Sequence, residues 1–340
     1  RAADLPDGKA VLPVIEEVTA GQVPRLPLGP GQATRIMTGA PIPHGADAIV
    51  PVEWTDGGVA KVTIRKAPDA GAFIRRQGED VRAGEVLLRA GTMLGARELA
   101  LLAASGHGAV VVRPRPRVVV LSTGSELREP GEPLGEGLVP DANGYALAAA
   151  VRQAGGIPFR VGIVPDDGRQ FSSMLEDQLV RADLIVTSGG VSAGAFDIVK
   201  QVLGRLGTVR FTGVAMQPGM PQGFGVIGED EIPIFTLPGN PVSAYVSFQV
   251  FVKPALRAML GARPIVPPTV PGTVTEGWRS SAGKRQFARV RYALGRITPV
   301  SGAGSHLVAG LARANALAVV PEDVTQVQAG DRLDVMVLDE

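Results

Sequence analysis

The sequence contains no cysteine, which excludes disulfides, thiolate metal sites and cysteine nucleophiles. Its three histidines, His44, His107 and His306, are far apart, so a histidine zinc site is not expected. Aromatic residues make up 4% of the chain, too few for a platform that stacks single-stranded nucleic acid. The net charge is only +1, and no apolar run approaches the roughly 18 residues of a membrane span. These absences argue against nucleic-acid and membrane partners.

The residues that are present indicate a folded, turn-rich chain of several domains. At roughly 100–200 residues per domain, 340 residues suggest two or three domains. The 44 glycines and 28 prolines indicate many turns, while a hydrophobic content of 45% argues against disorder. Because the first residue is Arg1 rather than methionine, we expect upstream residues to be missing from this sequence.

Residues 1–112 have the pattern of a β-rich region. Short apolar or alternating runs between Pro/Gly turns predict strands, and a Leu/Ala-rich stretch predicts one helix, Ala96–Ala104, which Gly106 would end. The strands are predicted at Val11–Val18, Gln32–Met37, Ala48–Val52, Lys61–Arg65 and Glu85–Leu88. We expect a β-barrel-like domain to about residue 79, followed by part of a second domain.

Residues 113–263 are predicted to form a separate α/β domain. The charged, proline-rich segment Arg113–Arg117 is typical of a domain boundary. After it, buried strands alternate with helices, which favours a three-layer domain with a mainly parallel sheet. The predicted strands are Val118–Ser122, Phe159–Val164, Leu184–Thr187, Val209–Ala215 and Ile232–Leu237; the helices are Gly144–Gln153, Arg169–Arg181, Asp197–Leu206 and Pro241–Leu260. Asn143 or Asp141 could cap the first helix, and Gly155 could end it.

Residues 264–340 return to a β pattern. Alternating or apolar runs predict strands at Arg285–Ala293, Ala316–Pro321 and Arg332–Leu338. A turn at Gln328–Asp331 precedes the last of them. The size and the pattern indicate a small C-terminal β-barrel.

Four loops leave predicted strands of the α/β domain, and the carboxyl ends of parallel strands meet at one ligand-binding edge. They are Ser122–Leu127, Val164–Asp167, Thr187–Asp197 and Leu237–Ser243. Taken alone, the first is best explained as an ordinary turn with a solvated glutamate, and Asp166 or Asp167 could simply cap a helix. Paired glycines with serines in the third loop, and Gly-Asn between two prolines in the fourth, favour binding of an anion by backbone amides.

The same edge carries carboxylates, which would repel a phosphate unless a hard cation lay between them. Glu126, Asp166 or Asp167, and Asp197 supply these groups. Mg²⁺ commonly binds one or two carboxylates together with substrate phosphate oxygens and water. The residues therefore predict a Mg²⁺-assisted site for a phosphorylated or nucleotide ligand, without identifying the substrate.

In combination, these motifs resemble the MoeA/gephyrin E-domain family, the molybdopterin molybdenumtransferases. The resemblance covers essentially the whole chain. It is carried, in chain order, by Arg35–Pro41, Gln77–Asp80, Ser122–Leu127, Ser188–Asp197 and Leu237–Ser243. It implies that the chain inserts molybdate into adenylylated molybdopterin, with Mg²⁺-dependent release of AMP.

The resemblance also implies site residues, position by position. Catalytic carboxylates are expected at Asp80, Glu126, Asp167 (or its neighbour Asp166) and Asp197, of which Asp80, Glu126 and Asp197 would bind Mg²⁺. Ligand-binding positions are expected at Thr38, Ser188, Gly189, Gly190, Ser192, Pro238, Gly239, Asn240 and Pro241, with Arg289 and Ser305 binding molybdate. Arginine forks and hydroxyl donors suit a tetrahedral oxyanion.

Two features depart from the family pattern. The acidic motif Ser-x-Met-Asp-Gly-Tyr is absent before Arg1–Asp4, so one acidic site residue and part of the dimerising domain are expected to be missing. Met220 stands where the family often has lysine, and the chain has six lysines in all, none near this loop. Charge neutralisation of the substrate must then come from elsewhere, and tungstate is conceivable in place of molybdate.

The resemblance further implies a cytoplasmic homodimer whose partners include molybdopterin adenylyltransferase and other proteins of molybdenum cofactor biosynthesis. Two other functions remain open at this point. Related single α/β domains catalyse the adenylyltransferase step, although the additional β domains and the Arg289 and Ser305 segments favour the transferase. Gephyrin-type E domains also serve as non-catalytic scaffolds.

Overall fold

The computed structural model describes residues 1–6, 8–190, 198–205 and 208–338, and for residue 198 it describes the backbone only. The predicted site residues Ser192 and Asp197 lie outside the described residues. The chain divides into two compact units, Arg1–Ala90 and Gly91–Glu340. Among the helices described, none is both long and apolar enough to cross a membrane.

The first unit contains a three-stranded sheet with the order β2-β1-β3. Its strands are β1 (Ala10–Val18), β2 (Ala33–Ile36) and β3 (Lys61–Ile64), and short 3₁₀ turns lie at Ala2–Asp4 and Val52–Trp54. Strand β1 runs parallel to β2 and antiparallel to β3. Leu5, Leu12 and Ile64 form its buried apolar cluster.

Two strands predicted in this unit are wrong. Residues 48–51 form no strand, and the 3₁₀ turn begins at Val52, after Pro51, which has no N–H for a ladder. Glu85 closes a turn instead, because its N–H donates to the Arg82 carbonyl (3.1 Å) and its carboxylate accepts from the Arg82 N–H (3.2 Å). Local hydrogen bonds therefore replace strand pairing at Glu85, and the Ile49 N–H donates to the Ala72 carbonyl (3.1 Å) outside any strand.

The second unit begins with helix α1 (Ala96–Ala104), which has the predicted bounds. The Gly106 N–H donates to Ala103 and the His107 N–H to Leu102, so the last carbonyls are satisfied by the loop that glycine permits. None of the residues of α1 is buried in this chain.

The central domain alternates strands and helices as predicted. Its strands are β4 (Arg117–Thr123), β5 (Leu127–Arg128), β6 (Val139–Pro140), β7 (Ile157–Val164), β8 (Leu184–Ser188), β9 (Arg210–Gly213), β10 (Met216–Gln217), β11 (Pro221–Ile227) and β12 (Ile232–Leu237). Its helices are α2 (Asn143–Gln153), α3 (Gly168–Leu179), α4 (Ile198–Arg205), α5 (Pro241–Ser247) and α6 (Lys253–Met259).

The main sheet has the order β7-β4-β8-β12-β11-β9. The first four strands pair in parallel, whereas β11 pairs antiparallel with both β12 and β9. Buried side chains cover both faces, with Phe171 and Leu203 of α3 and α4 on one face and Leu147 and Phe248 on the other. The predicted three-layer, mainly parallel α/β domain is confirmed.

The long helix predicted over Pro241–Leu260 contains a π-helical segment, Phe248–Val252, between α5 and α6. Pro254 lies just beyond that segment. Proline has no N–H and its ring clashes with the carbonyl four residues earlier, here that of Val250. A widened turn at this position accommodates the proline without ending the helix.

The C-terminal strands form a closed barrel, as predicted. They are β13 (Val270–Val274), β14 (Trp278–Arg279), β15 (Arg285–Ala293), β16 (Arg296–Pro299), β17 (Ala316–Val320), β18 (Gln326–Val327) and β19 (Arg332–Val337), with helix α7 (Val308–Arg313) between β16 and β17. The order β15-β16-β13-β19-β17 closes through pairing of β15 with β17. Strand β10 of the central domain also pairs with β15, so the sheet of the barrel includes residues from both domains.

Candidate functional site

The loops that follow β4 and β7 are joined at the carboxyl edge of the central sheet. The Ser125 N–H donates to the Asp166 carboxylate (3.0 Å), and the Asp166 N–H donates to the Ser125 hydroxyl (3.1 Å). The Gly124 N–H donates to the Val164 carbonyl (3.2 Å). These reciprocal bonds fix Asp166 beside the loop that carries Glu126.

Glu126 is exposed and folds back over Gly124. A Cβ added to Gly124 would lie 2.5 Å from one carboxylate oxygen of Glu126 and 2.7 Å from the other. Glycine at position 124 therefore makes room for the carboxylate at the rim of the sheet. The placement agrees with the predicted exposure of Glu126 at this edge.

The two neighbouring aspartates after β7 have different partners. Asp167 is the N-cap of α3, because its carboxylate accepts from the N–H groups of Arg169 (2.9 Å) and Gln170 (2.8 Å). Asp166 holds the Ser125 loop instead. The structure thus brings Asp166 to the Glu126 loop and commits Asp167 to the helix.

Gly189, directly after β8, packs against the turn that follows β12. The Gly189 N–H donates to the Leu237 carbonyl (3.0 Å), and the Thr123 hydroxyl donates to the Ser188 carbonyl (3.2 Å). Gly189 has φ +93°, and an added Cβ would lie 2.4 Å from the Thr123 carbonyl oxygen. Gly239 faces Gly189, since its own added Cβ would lie 3.6 Å from the Gly189 Cα. The predicted ligand positions in these two segments, from Ser188 to Gly190 and from Pro238 to Pro241, are therefore neighbours.

A loop of the C-terminal barrel reaches the start of α5. Asn240 is the N-cap and Pro241 the first residue of this helix, as the sequence predicts, although the Asn240 side chain makes no capping hydrogen bond. The Val242 N–H donates to the Ser305 carbonyl (3.1 Å). This bond brings Ser305 to the same edge of the sheet as the Gly239 turn.

Arg289 is buried, with 4% of its surface exposed. Its guanidinium donates to the carbonyls of Leu307 (3.1 Å) and Gly302, on either side of Ser305. No carboxylate of the described residues forms an ion pair with it, and burial lowers its pKa from the usual value. A buried cation without an acidic partner suits an anion as ligand.

A cavity of about 220 Å³ adjoins Arg289. Trp278, Gln286, Ser301 and Gln217 are among its lining residues. The side-chain oxygen of Gln217 is buried and accepts no hydrogen bond from the described residues. Sequence reasoning missed Gln217, because only the pairing of β10 with β15 brings it to the barrel.

Two predicted site residues belong to the first unit. Thr38 lines a cavity of about 460 Å³ there, together with apolar residues of β1, β2 and the segment near Ile49. Asp80 is exposed at the end of the Gln77–Asp80 motif.

The described residues contain no cluster of three or more His, Asp or Glu side chains able to hold a metal ion. Glu126 and Asp166 nevertheless supply one or two carboxylates on neighbouring loops. That donor set fits Mg²⁺, which binds few protein carboxylates and completes its shell with water and substrate phosphate oxygens.

Family comparisons match the chain in three consecutive regions. Residues 1–106 match the MoeA N-terminal region (domain I and II), residues 119–258 a probable molybdopterin binding domain, and residues 271–338 the MoeA C-terminal region (domain IV). These regions follow the order of the elements described above.

Individual relatives match over nearly the whole chain. Molybdopterin molybdenumtransferase 2 of Mycobacterium tuberculosis is 48% identical over 97% of this chain and 83% of that protein. Molybdopterin molybdenumtransferase of Bacillus subtilis is 33% identical over 96% of this chain and 78% of that protein. A crystal structure of the molybdopterin biosynthesis MoeA protein of Pyrococcus horikoshii superposes with a TM-score of 0.80 at 32% identity, covering 100% and 85% of the two chains. The chain therefore belongs to the molybdopterin molybdenumtransferases, the MoeA-type transferases of molybdenum cofactor biosynthesis.

Proposed function

We propose that this chain inserts molybdate into adenylylated molybdopterin, with Mg²⁺-dependent release of AMP. The observation that carries the proposal is the meeting of four strand-end loops and the Ser305 loop of the barrel at one edge of the central sheet. A ligand at this edge would contact glycine-rich backbone, exposed carboxylates and a segment held by a buried arginine. Those groups suit a nucleotide-linked substrate together with an oxyanion.

The roles divide between two parts of this edge. Ser188, Gly189 and Gly190 would line the phosphate or pterin, with the Gly190 N–H as a donor, and the Gly239 turn would lie against them. Arg289 would hold molybdate beside the dithiolate, in the cavity that adjoins it, and it would also hold the Ser305 loop in place. Gln217 would add an amide group to the same cavity.

Glu126 and Asp166 would hold Mg²⁺ at this edge, and the metal-binding roles that the resemblance implies for Asp80 and Asp197 are part of the proposal. When bound, the ion neutralises the diphosphate link and polarises its phosphorus. Asp166 in addition orients the Glu126 loop through its bonds with Ser125. The contributions of Thr38 and Ser192 are part of the same proposal, whereas the role expected of Asp167 or its neighbour is assigned to Asp166, because the Asp167 carboxylate caps α3.

A cytoplasmic homodimer is part of the proposal as well. Helix α1 supports it, because none of its residues is buried within this chain and Leu99 is 54% exposed. An apolar helix without a buried face is typical of a surface that a partner covers. Size-exclusion chromatography with light scattering tests the expected mass of two chains.

Nucleotide release tests the proposed reaction. The protein is incubated with adenylylated molybdopterin, molybdate and Mg²⁺, and we expect AMP to appear only when all three are present. Glu126→Gln should lower kcat by about tenfold or more, because a metal-bound carboxylate becomes a neutral amide. Glu132→Gln, on an exposed residue of the β5–β6 loop, is the matched control and should leave kcat unchanged.

Other outcomes would contradict the proposal. ATP consumption with formation of adenylylated molybdopterin would identify an adenylyltransferase. AMP release that does not depend on molybdate would contradict the assigned reaction. AMP release that is unchanged in Glu126→Gln would contradict the assigned metal site. The C-terminal barrel and the names of the curated relatives favour the transferase over the adenylyltransferase and the scaffold.

A further inference from the structure

The turn that leads into α2 carries two buried polar side chains with no part in the proposed chemistry. Asp141 is 1% exposed and Asn143 is 7% exposed. Asp141 directly follows β6, and Asn143 is the first residue of α2. Buried polar side chains persist where they are hydrogen-bonded, so their partners show what this turn holds in place.

Asp141 connects two strand ends to the start of α2. The Ser122 hydroxyl at the end of β4 donates to Oδ1 of Asp141 (2.9 Å), and the Gly144 N–H donates to the same oxygen (2.9 Å). The Ser188 hydroxyl at the end of β8 donates in turn to the Ser122 hydroxyl (3.4 Å). A chain of hydrogen bonds therefore runs from Asp141 to the first residue of the glycine loop.

The other oxygen of Asp141 faces Arg160, whose Nη1 lies 3.6 Å away. Arg160 is itself held by two hydrogen bonds of 2.9 Å to Glu129 and stacks over the Tyr145 ring at 4.2 Å. The buried carboxylate thus has an opposite charge in a fixed position. This arrangement leaves Oδ1 oriented toward Ser122 and Gly144.

Asn143 reaches the third strand end. Its Nδ2 donates to the Gly239 carbonyl (2.7 Å), in the turn that follows β12. Within the described residues its Oδ1 has no hydrogen-bond partner. The amide therefore holds the Gly239 turn by a single short hydrogen bond.

We infer that Asp141 and Asn143 are positioning residues, which hold Ser188 at the end of β8 and the turn after β12 in the geometry that binds substrate. The inference rests on the proposed function and adds two residues to it. Ligand-binding loops hold their geometry only when other hydrogen bonds fix them, and small misplacements are costly to binding. One turn of chain supplies those bonds to both segments.

The direction of the bonds gives the inference a specific consequence. A carboxylate only accepts, so the Ser122 proton points to Asp141 and the Ser188 proton points to Ser122. Asn at position 141 can still present one oxygen to Ser122 and Gly144, whereas alanine cannot.

Kinetics on single variants test the inference. Asp141→Ala and Asn143→Ala should each raise KM for adenylylated molybdopterin by about tenfold. This is the effect of losing one hydrogen bond between a displaced loop and the ligand. Asp141→Asn should restore KM to within about threefold of wild type, because its oxygen replaces the lost acceptor. If Asp141→Ala or Asn143→Ala leaves KM at the wild-type value, the loops bind substrate without these contacts and the inference is wrong.

Asn315 offers a matched control. It bridges the backbone of Tyr292 in the barrel through two hydrogen bonds (2.8 and 3.0 Å), a structural role away from the strand-end loops. Asn315→Ala should lower Tm yet leave KM at the wild-type value. An equal rise of KM in Asn315→Ala and Asn143→Ala would reduce Asn143 to a general structural residue.

Hydrogen exchange provides a readout that needs no substrate. Exchange in peptides covering 184–190 and 237–244 should speed up in Asp141→Ala and Asn143→Ala but not in Asn315→Ala. If Asp141→Ala does not fold, Ser122→Ala removes the middle hydroxyl while Gly144 still bonds to Asp141, and it should speed exchange in 184–190. Unchanged exchange overturns the positioning role, whereas a wild-type protein that releases no AMP overturns the proposed function alone.

Discussion

Among single residues, the neighbouring aspartates after β7 show how structure separates two groups that the sequence leaves equivalent. Asp167 caps α3 and Asp166 bonds to Ser125. Either could cap a helix on sequence grounds, because both precede it by a residue or two. Only the hydrogen bonds assign one to the helix and the other to the Glu126 loop.

A pair of alanine variants tests this separation. Asp167→Ala should lower the free energy of unfolding by about 1 kcal/mol, the usual cost of losing an N-cap. Asp166→Ala should mainly lower kcat for AMP release, because it frees the loop that carries Glu126. Its effect on the free energy of unfolding should be the smaller one. Thermal denaturation and steady-state kinetics on both variants measure the two effects. The reverse result, with Asp167→Ala abolishing turnover at unchanged stability, would assign the catalytic carboxylate to Asp167.

Arg289 provides a second prediction for a single residue. Arg289→Met should weaken molybdate binding by about tenfold or more, because a neutral side chain gives up the charge and the forked donors. The molybdate affinity of Arg289→Lys should lie between those of wild type and Arg289→Met, since lysine keeps the charge but not the planar fork. Calorimetric titration with molybdate measures both.

Arg285, on the same strand, serves as the control for Arg289. It is exposed and pairs with Glu322 at 3.2 Å, so Arg285→Met should leave molybdate binding unchanged. Equal losses in Arg285→Met and Arg289→Met would show that general positive charge, rather than the buried guanidinium, attracts the oxyanion. The family resemblance singled out Arg289, but the strand pattern alone could not separate the two, because burial of Arg289 depends on closure of the barrel.

Among the elements, strands with continuous apolar runs were predictable and glycine-rich strands were not. Val118–Leu121 in β4 and Leu184–Val186 in β8 are fully buried, and their composition alone identifies them. Strand β11 was missed, because Gly223 and Gly225 weaken its strand pattern. Packing explains the glycine at position 223, because a Cβ added there would lie 2.0 Å from the Thr236 hydroxyl.

The glycine loop after β8 carries a prediction for an element. Gly189→Ala should lower the free energy of unfolding by roughly 2 kcal/mol, since the new Cβ meets the Thr123 carbonyl and φ is positive. Gly204→Ala, in α4, should instead raise it by about 0.5–1 kcal/mol, because its Cβ enters open space within a helix. Urea denaturation of the two variants measures the contrast. Equal stability would mean that the loop relaxes to admit a side chain.

For the whole molecule, the two units differ in the amount of apolar side chain that they bury. Leu5, Leu12 and Ile64 form the buried cluster of the Arg1–Ala90 unit, whereas the central sheet covers a much larger cluster on each of its faces. Sequence patterns give this division only approximately, because they show where β-rich and α/β stretches lie but not how much each buries. Because the free energy of unfolding increases with buried apolar area, the Arg1–Ala90 unit should be the less stable of the two.

We therefore expect unfolding of this chain in two steps, with the Arg1–Ala90 unit opening first. Local opening free energies fall where few apolar side chains are buried, so amides of β1 and β3 should exchange about a hundredfold faster than those of β4 and β8. Hydrogen exchange with mass spectrometry measures the difference peptide by peptide. Leu12→Ala should speed exchange in β1 and β3 while leaving β4 unchanged. Leu121→Ala, in the other unit, is the matched control and should speed exchange in β4 while leaving β1 and β3 unchanged. Equal protection of β1 and β4, lost together in either variant, would show that the whole chain unfolds as one cooperative unit.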